Sequence, residues 1–139
     1  MIQGLLAIIT LSIIDYLGYN NWGCLYSNQY VNAYRIFIVI IQIFISIILF
    51  NFFGIIPVIV FLWLWWTGFA DFLYYVIDEI RGGNEQFFLW KGEVTLSWLW
   101  FTPYGLYKRL TSKKDITKKE FLIQTITGVI LITFILIKQ

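Results

Sequence analysis

The sequence predicts an all-α fold, a polytopic transmembrane helical bundle, and three observations carry that prediction. Of the 139 residues, 60% are hydrophobic and only 13% are charged, whereas a soluble domain carries about a quarter of its residues as Asp, Glu, Lys or Arg. The charges are clustered, which leaves long uncharged stretches between them. Several of those stretches, at about 1.5 Å of rise per residue, reach across a hydrocarbon core roughly 30 Å thick. At this length the chain is expected to form one membrane domain over residues 1–139.

The first span is expected at 2–19, interrupted only by Ser12 and Asp15. Its opening residues lack the basic stretch and small-x-small site of a cleaved secretory signal, so it reads as a retained helix. A polar, uncharged loop over 20–34 leads to Arg35, which opens a second, isoleucine-rich span at 36–50. β-Branched residues form helices poorly in water, but in lipid an open strand leaves its backbone groups unsatisfied, so the helix wins.

Asn51 to Gly54, with Pro57 shortly after, reads as a turn that starts a new helix with proline in its first turn. The alternative is one kinked helix over 36–66. The third span is expected at 55–80, long enough to cross with tilt. Residues 81–85 form a loop by composition, and 87–90 an interfacial segment. The stretch 94–107 is short and contains Pro103, which fits a brief crossing or a re-entrant or interfacial segment. The bundle therefore has five spans, or four plus one such segment. Residues 108–120 are polar and lie outside the membrane, and 121–137 is the last span.

Lys108, Arg109, Lys113, Lys114, Lys118 and Lys119 gather in 108–120, which places that loop in the cytoplasm. If 94–107 crosses, the N-terminus is cytoplasmic; if not, it is external. The uncharged loop at 20–34 favours the first arrangement. The same six side chains are candidates for binding anionic headgroups, although a plain cytoplasmic loop explains them equally well.

Both topologies bring the end of the first span, the start of the second and the end of the third to one side. Asp15, Arg35, Asp78 and Glu79 meet there, with Asp71 about two turns deeper. Thr67, Asp71, Tyr74, Tyr75 and Asp78 share one helix face by spacing, as do Ser12, Asp15 and Tyr19. A carboxylate in hydrocarbon costs roughly 3 kcal/mol, so Asp71 is expected to face the interior with partners. It is the central candidate for a proton or cation site, supported by Asp15, Asp78, Glu79, Arg35, Tyr74 and Tyr75. The plainer reading is an Asp71–Arg35 or Asp15–Arg35 pair that fixes packing, with Asp78 and Glu79 as interfacial charges.

Trp63, Trp65 and Trp66 lie deeper in the third span than an interfacial belt would. Together with Trp98 and Trp100 they are candidates for contact with an apolar ligand (a quinone, carotenoid or lipid tail) or with a partner. Consecutive tryptophans cannot all face one site, so some must point outward. Thr125, Thr127 and Gly128 are small enough for close helix approach.

Histidine is absent and Cys24 is the lone cysteine, which excludes an internal disulfide, imidazole ligation and the commonest general base. The net charge of +2 is too small to suggest nucleic acid. No phosphate loop, nucleophile elbow or metal-ligand spacing occurs, so no catalytic residue and no cofactor is nominated. The first functional expectation is a small non-catalytic subunit of a larger membrane complex, with the bilayer and other subunits or further copies as partners. The alternatives are a homo-oligomeric proton- or cation-coupled transporter or channel built on Asp71, and a lipid-modifying enzyme in which Asp71, Asp78 and Glu79 hold Mg²⁺.

Overall fold

The computed structural model describes residues 2–21, 28–82, 87, 95–96, 99, 101–112 and 114–137. Six helices account for most of them: α1 (Ile2–Asn21), α2 (Asn28–Phe53), α3 (Ile55–Trp66), α4 (Phe69–Ile80), α5 (Pro103–Thr111) and α6 (Lys118–Ile137). Two short strands, β1 (Thr95–Leu96) and β2 (Ile116–Thr117), pair antiparallel, with Leu96 opposite Ile116. By length and composition, α1 and α2 are each able to cross a membrane. The α3–α4 pair makes a third crossing if it is taken as one span bent by 66°.

The turn expected before Pro57 forms at Gly54, whose φ of 80° suits glycine. Its N–H donates to the Phe50 carbonyl at 3.0 Å, closing α2, and Pro57 falls in the first turn of α3, where a missing N–H is harmless. The single kinked helix over 36–66 is therefore not what the chain adopts. Helix α2 begins at Asn28 rather than 36, so Arg35 lies about two turns inside it. No Gly or Pro interrupts 28–35, and Tyr34 anchors that stretch on α1.

Two of the expected segments are not continuous helices, for local reasons. The stretch 94–107 is not one helix: Thr95 and Leu96 are extended, and the α-helix α5 begins at Pro103. The Thr102 hydroxyl accepts from the Gly105 N–H at 3.3 Å and donates to the Leu99 carbonyl at 2.7 Å, which caps α5. Pro103 then occupies its first turn. Nine residues remain, about 13 Å of helix, too little for a crossing.

The span expected at 55–80 is also interrupted, at Thr67 and Gly68, where Gly68 takes φ 84°. Helix α6 presses on the break from the side. A Cβ on Gly68 would meet the Phe121 ring at 2.6 Å, and one on Gly128 would meet the Thr67 side chain at 2.6 Å. The break exposes the Thr67 carbonyl, and α6 satisfies it: Gln124 Nε2 and Thr125 Oγ1 both donate to it at 3.1 Å. Trp63 returns a bond to the Gly128 carbonyl at 2.9 Å. Gln124 also accepts from the Tyr104 N–H at 2.8 Å, tying in the first turn of α5. The close approach expected of Thr125 and Gly128 thus forms, while Thr127 faces outward.

Apolar packing follows this arrangement. The larger core joins Ile8 and Leu11 of α1 to Phe61 and Leu64 of α3, Ala70 of α4 and Ile132 of α6. A second cluster, Tyr75, Phe87, Leu96, Leu99, Ile116 and Phe121, seats the strand pair against α4 and α6.

Thr117 and Glu120 form a reciprocal cap at the start of α6. The Glu120 N–H donates to Thr117 Oγ1 at 3.3 Å, and Glu120 Oε2 accepts from the Thr117 N–H at 2.8 Å. Lys108 grips both carboxylate oxygens, at 3.1 and 2.8 Å. Arg109 faces Asp115 at 3.8 Å, and the Lys118 ammonium donates to the Phe87 carbonyl. Three of the expected headgroup-binding cations therefore serve the fold. Lys114 and Lys119 are exposed, and Lys113 lies outside the described residues.

Burial opposes the charge on Glu120, but the bonds from Lys108 and Thr117 outweigh it and hold the carboxyl at about 2, below its ordinary 4.5. A lowered carboxyl stabilises the fold above pH 4.5 and loses that contribution as pH falls toward 2. Hydrogen exchange at 103–120 should accelerate across that window, and Glu120→Gln should abolish the pH dependence.

Candidate functional site

Helices α1, α2 and α4 line a partly open cavity of about 560 Å³, with Trp65 of α3 and Phe101 also in its wall. Asp15 and Tyr19 line it from α1, Tyr34, Arg35 and Gln42 from α2, and Asp71, Tyr74 and Tyr75 from α4. The sequence-predicted residues Asp15, Arg35, Asp71, Tyr74, Tyr75 and Trp65 thus meet around one space.

Each carboxylate is placed by its own helix. Gly18 lets the Tyr34 ring lie close on α1, where a Cβ would meet it at 2.8 Å. The Tyr34 hydroxyl then sits 2.6 Å from Asp15 Oδ1 and 2.7 Å from the Asp15 carbonyl, its proton shared between them. Asp71 is the third residue of α4, in the turn that follows Gly68. The break in the span therefore gives Asp71 the positive end of a helix and that helix's free N–H groups.

Asp15 and Asp71 are electrostatic neighbours. The ion pairs among the described residues are Lys108–Glu120 and Arg109–Asp115, so neither expected Asp–Arg35 pair forms. Arg35 lines the cavity but is solvent-exposed. Around the carboxylates stand tyrosines in edge-to-face contact: Tyr19 with Tyr34 at 5.8 Å, Tyr19 with Tyr74 at 6.1 Å, and Tyr74 with Tyr75 at 5.6 Å.

Other candidates fall elsewhere. Asp78 is buried and Glu79 half-buried, and neither lines the cavity, so Asp71, Asp78 and Glu79 do not converge as a metal site. Among the described residues no three His, Cys, Asp or Glu side chains do. Thr67 leaves the α4 face because the chain breaks there, and Ser12 donates to its own helix at the Ile8 carbonyl. Of the tryptophans in α3, only Trp65 reaches the cavity, stacked on Phe101 at 5.3 Å. Trp63 bonds to α6, and Trp66 is 41% exposed with its N–H on the Phe101 carbonyl at 3.0 Å. Trp98 and Trp100 lie outside the described residues.

Sequence reasoning missed Tyr34 and Gln42. Tyr34 reads as part of a polar loop and carries no signal. Gln42 carried one, as the only amide in the isoleucine-rich run 36–50. It is 6% exposed, and its Nε2 is buried without a hydrogen-bond partner among the described residues. Gln42, Val39 and Trp65 also line an adjoining apolar groove of about 570 Å³ between α2 and α3, walled by Ile43, Ile47, Phe50 and Leu62.

The arrangement suits a positive charge: two carboxyl groups with no basic partner among the described residues, and aromatic rings beside them. No family model matches the chain, and neither a curated protein nor a solved structure is similar to it.

Because the Gln42 amide is orphaned, Gln42→Leu should raise the unfolding free energy of the empty protein by about 1 kcal/mol. Unfolding in mixed micelles would measure it; a comparable loss would show that the amide has a partner.

Proposed function

We propose that this chain is a multi-pass membrane protein that binds a cation between α1, α2 and α4. It acts as a small proton- or cation-coupled transporter or channel assembled from several copies. The observation that carries this reading is the pair Asp15 and Asp71, which face one cavity with no basic side chain among the described residues bonded to either. Carboxylates so placed within apolar helices mark an ion or proton pathway more often than a structural contact.

The proposed topology has four crossings, α1, α2, the α3–α4 pair and α6, with α5 and the strand pair at the interface. It is supported by charge. With these crossings every Lys and Arg except Lys138 falls toward one side, which is then cytoplasmic. The N-terminus is external, and the cavity lies in the cytoplasmic half. Helix α5 fits an interfacial position: Leu106, Tyr107 and Leu110 are exposed beside Lys108 and Arg109.

Assembly is supported by α2, whose apolar window Ala33–Phe53 is only 11% buried. The same surface favours a second reading, in which the chain is a non-catalytic subunit seated against other membrane proteins.

Cation or proton flux into liposomes carrying the purified protein separates the two. Asp71→Asn should reduce flux at least ~10-fold, while Asp71→Glu should retain part of it. Undiminished flux in Asp71→Asn would overturn the assignment. Absence of flux in the wild type, with foreign subunits co-purifying stoichiometrically, would establish the accessory reading.

A further inference from the structure

We propose that the cavity and the adjoining groove together hold one amphiphile, its ammonium head among Asp15, Asp71 and the tyrosines and its apolar chain along α2 and α3. This rests on the reading of the cavity as a cation site and names the class of cation.

Size is the first argument. A proton or a bare metal ion needs a few oxygen ligands, not a 560 Å³ space with six aromatic rings among its fourteen lining residues. Such a volume matches an organic ligand, and aromatic rings attract ammonium groups through their faces while carboxylates neutralise the charge. Continuity is the second. Val39, Gln42 and Trp65 line both spaces, so the groove begins at the residues where the cavity ends. From Val39 to Phe50 the groove follows α2 for about 16 Å, the reach of an alkyl chain rather than of a headgroup.

Gln42 is the third argument, and it lies at the junction. Its buried Nε2 has no hydrogen-bond partner among the described residues, and a buried donor is normally satisfied. An acceptor oxygen between head and chain, such as an ester or phosphate oxygen, would satisfy it. Arg35 at the cavity edge adds a place for a phosphate. The shared chemistry is an ammonium-headed amphiphile, supplied either as a simple cationic amphiphile or as a zwitterionic phospholipid.

Equilibrium dialysis of the full chain in nanodiscs of an uncharged glycolipid, against empty nanodiscs, tests this. The probes are dodecyltrimethylammonium, dodecylphosphocholine, dodecyl sulfate and choline, all below their micellar concentrations. Saturable binding is expected for the first two only. Asp71→Asn should weaken it about 30-fold. Leu62→Trp should also weaken it: Leu62 is 42% exposed, so the change fills the groove without disturbing the core. If Arg35→Gln weakens dodecylphosphocholine more than dodecyltrimethylammonium, the natural occupant is a zwitterionic lipid; equal effects point to a simple cationic amphiphile. Dodecyl sulfate binding as tightly as dodecyltrimethylammonium would overturn the inference. Choline binding as tightly as the dodecyl probes would overturn it while leaving the cation site intact. Absence of saturable binding by any ammonium probe would remove both.

Discussion

The carbonyl oxygen of Thr67 is the group on which the rest of the arrangement depends. A helix broken inside an apolar bundle exposes backbone groups that lipid cannot satisfy, at a cost of several kcal/mol each in hydrocarbon. The chain meets that constraint by bringing α6 against the break, where Gln124 and Thr125 both donate to the exposed carbonyl. Close contact requires the absence of side chains at Gly68 and Gly128. Once the break is held, α4 departs from α3 at 66°. Asp71 then becomes the first-turn residue of a new helix instead of a mid-span charge.

That change of position makes a carboxylate tolerable there without a cationic side chain. The free N–H groups and the positive end of α4 offset its charge, as the Tyr34 hydroxyl does for Asp15. Both acids thus meet neutral groups rather than a cationic side chain among the described residues. Had Arg35 been paired with either acid, the site would be internally neutralised. Its place at the exposed edge instead sets a basic group at the rim and leaves the two acidic side chains inside. The apolar groove starts where that polar surface ends, at Gln42.

The membrane character, the turn before Pro57 and the gathering of Asp15, Arg35, Asp71, Tyr74 and Tyr75 were legible in the sequence. Each rests on local composition or on which span ends must share a side. The break at Thr67 and Gly68 was not, because a lone glycine in an apolar helix is usually tolerated. What fixes it is a partner more than fifty residues away, Gln124 with Thr125. The extended stretch at Thr95 and Leu96 likewise depends on pairing with Ile116 and Thr117, and an apolar run of that length reads as helix. The six clustered cations mark a polar loop by composition, but nothing in their spacing shows that Lys108, Arg109 and Lys118 are engaged with Glu120, Asp115 and the Phe87 carbonyl. Gln42 was visible as an anomaly and went unused, since a single amide in an isoleucine run has no spacing to interpret.

The bend itself can be measured directly. Spin labels at Ile56 and Ile80, both exposed, on a protein whose Cys24 is replaced by serine, report the geometry of α3 and α4 by electron double resonance. Two half-helices bent by 66° place the labelled backbones about 30 Å apart, whereas a continuous helix would place them about 36 Å apart. A distribution centred near the shorter distance, moving toward the longer one in Gln124→Leu/Thr125→Val, is the expected result. A distribution centred on the longer distance in the unmutated sequence would contradict the clamp at Thr67, and with it the placement of Asp71 beside Asp15.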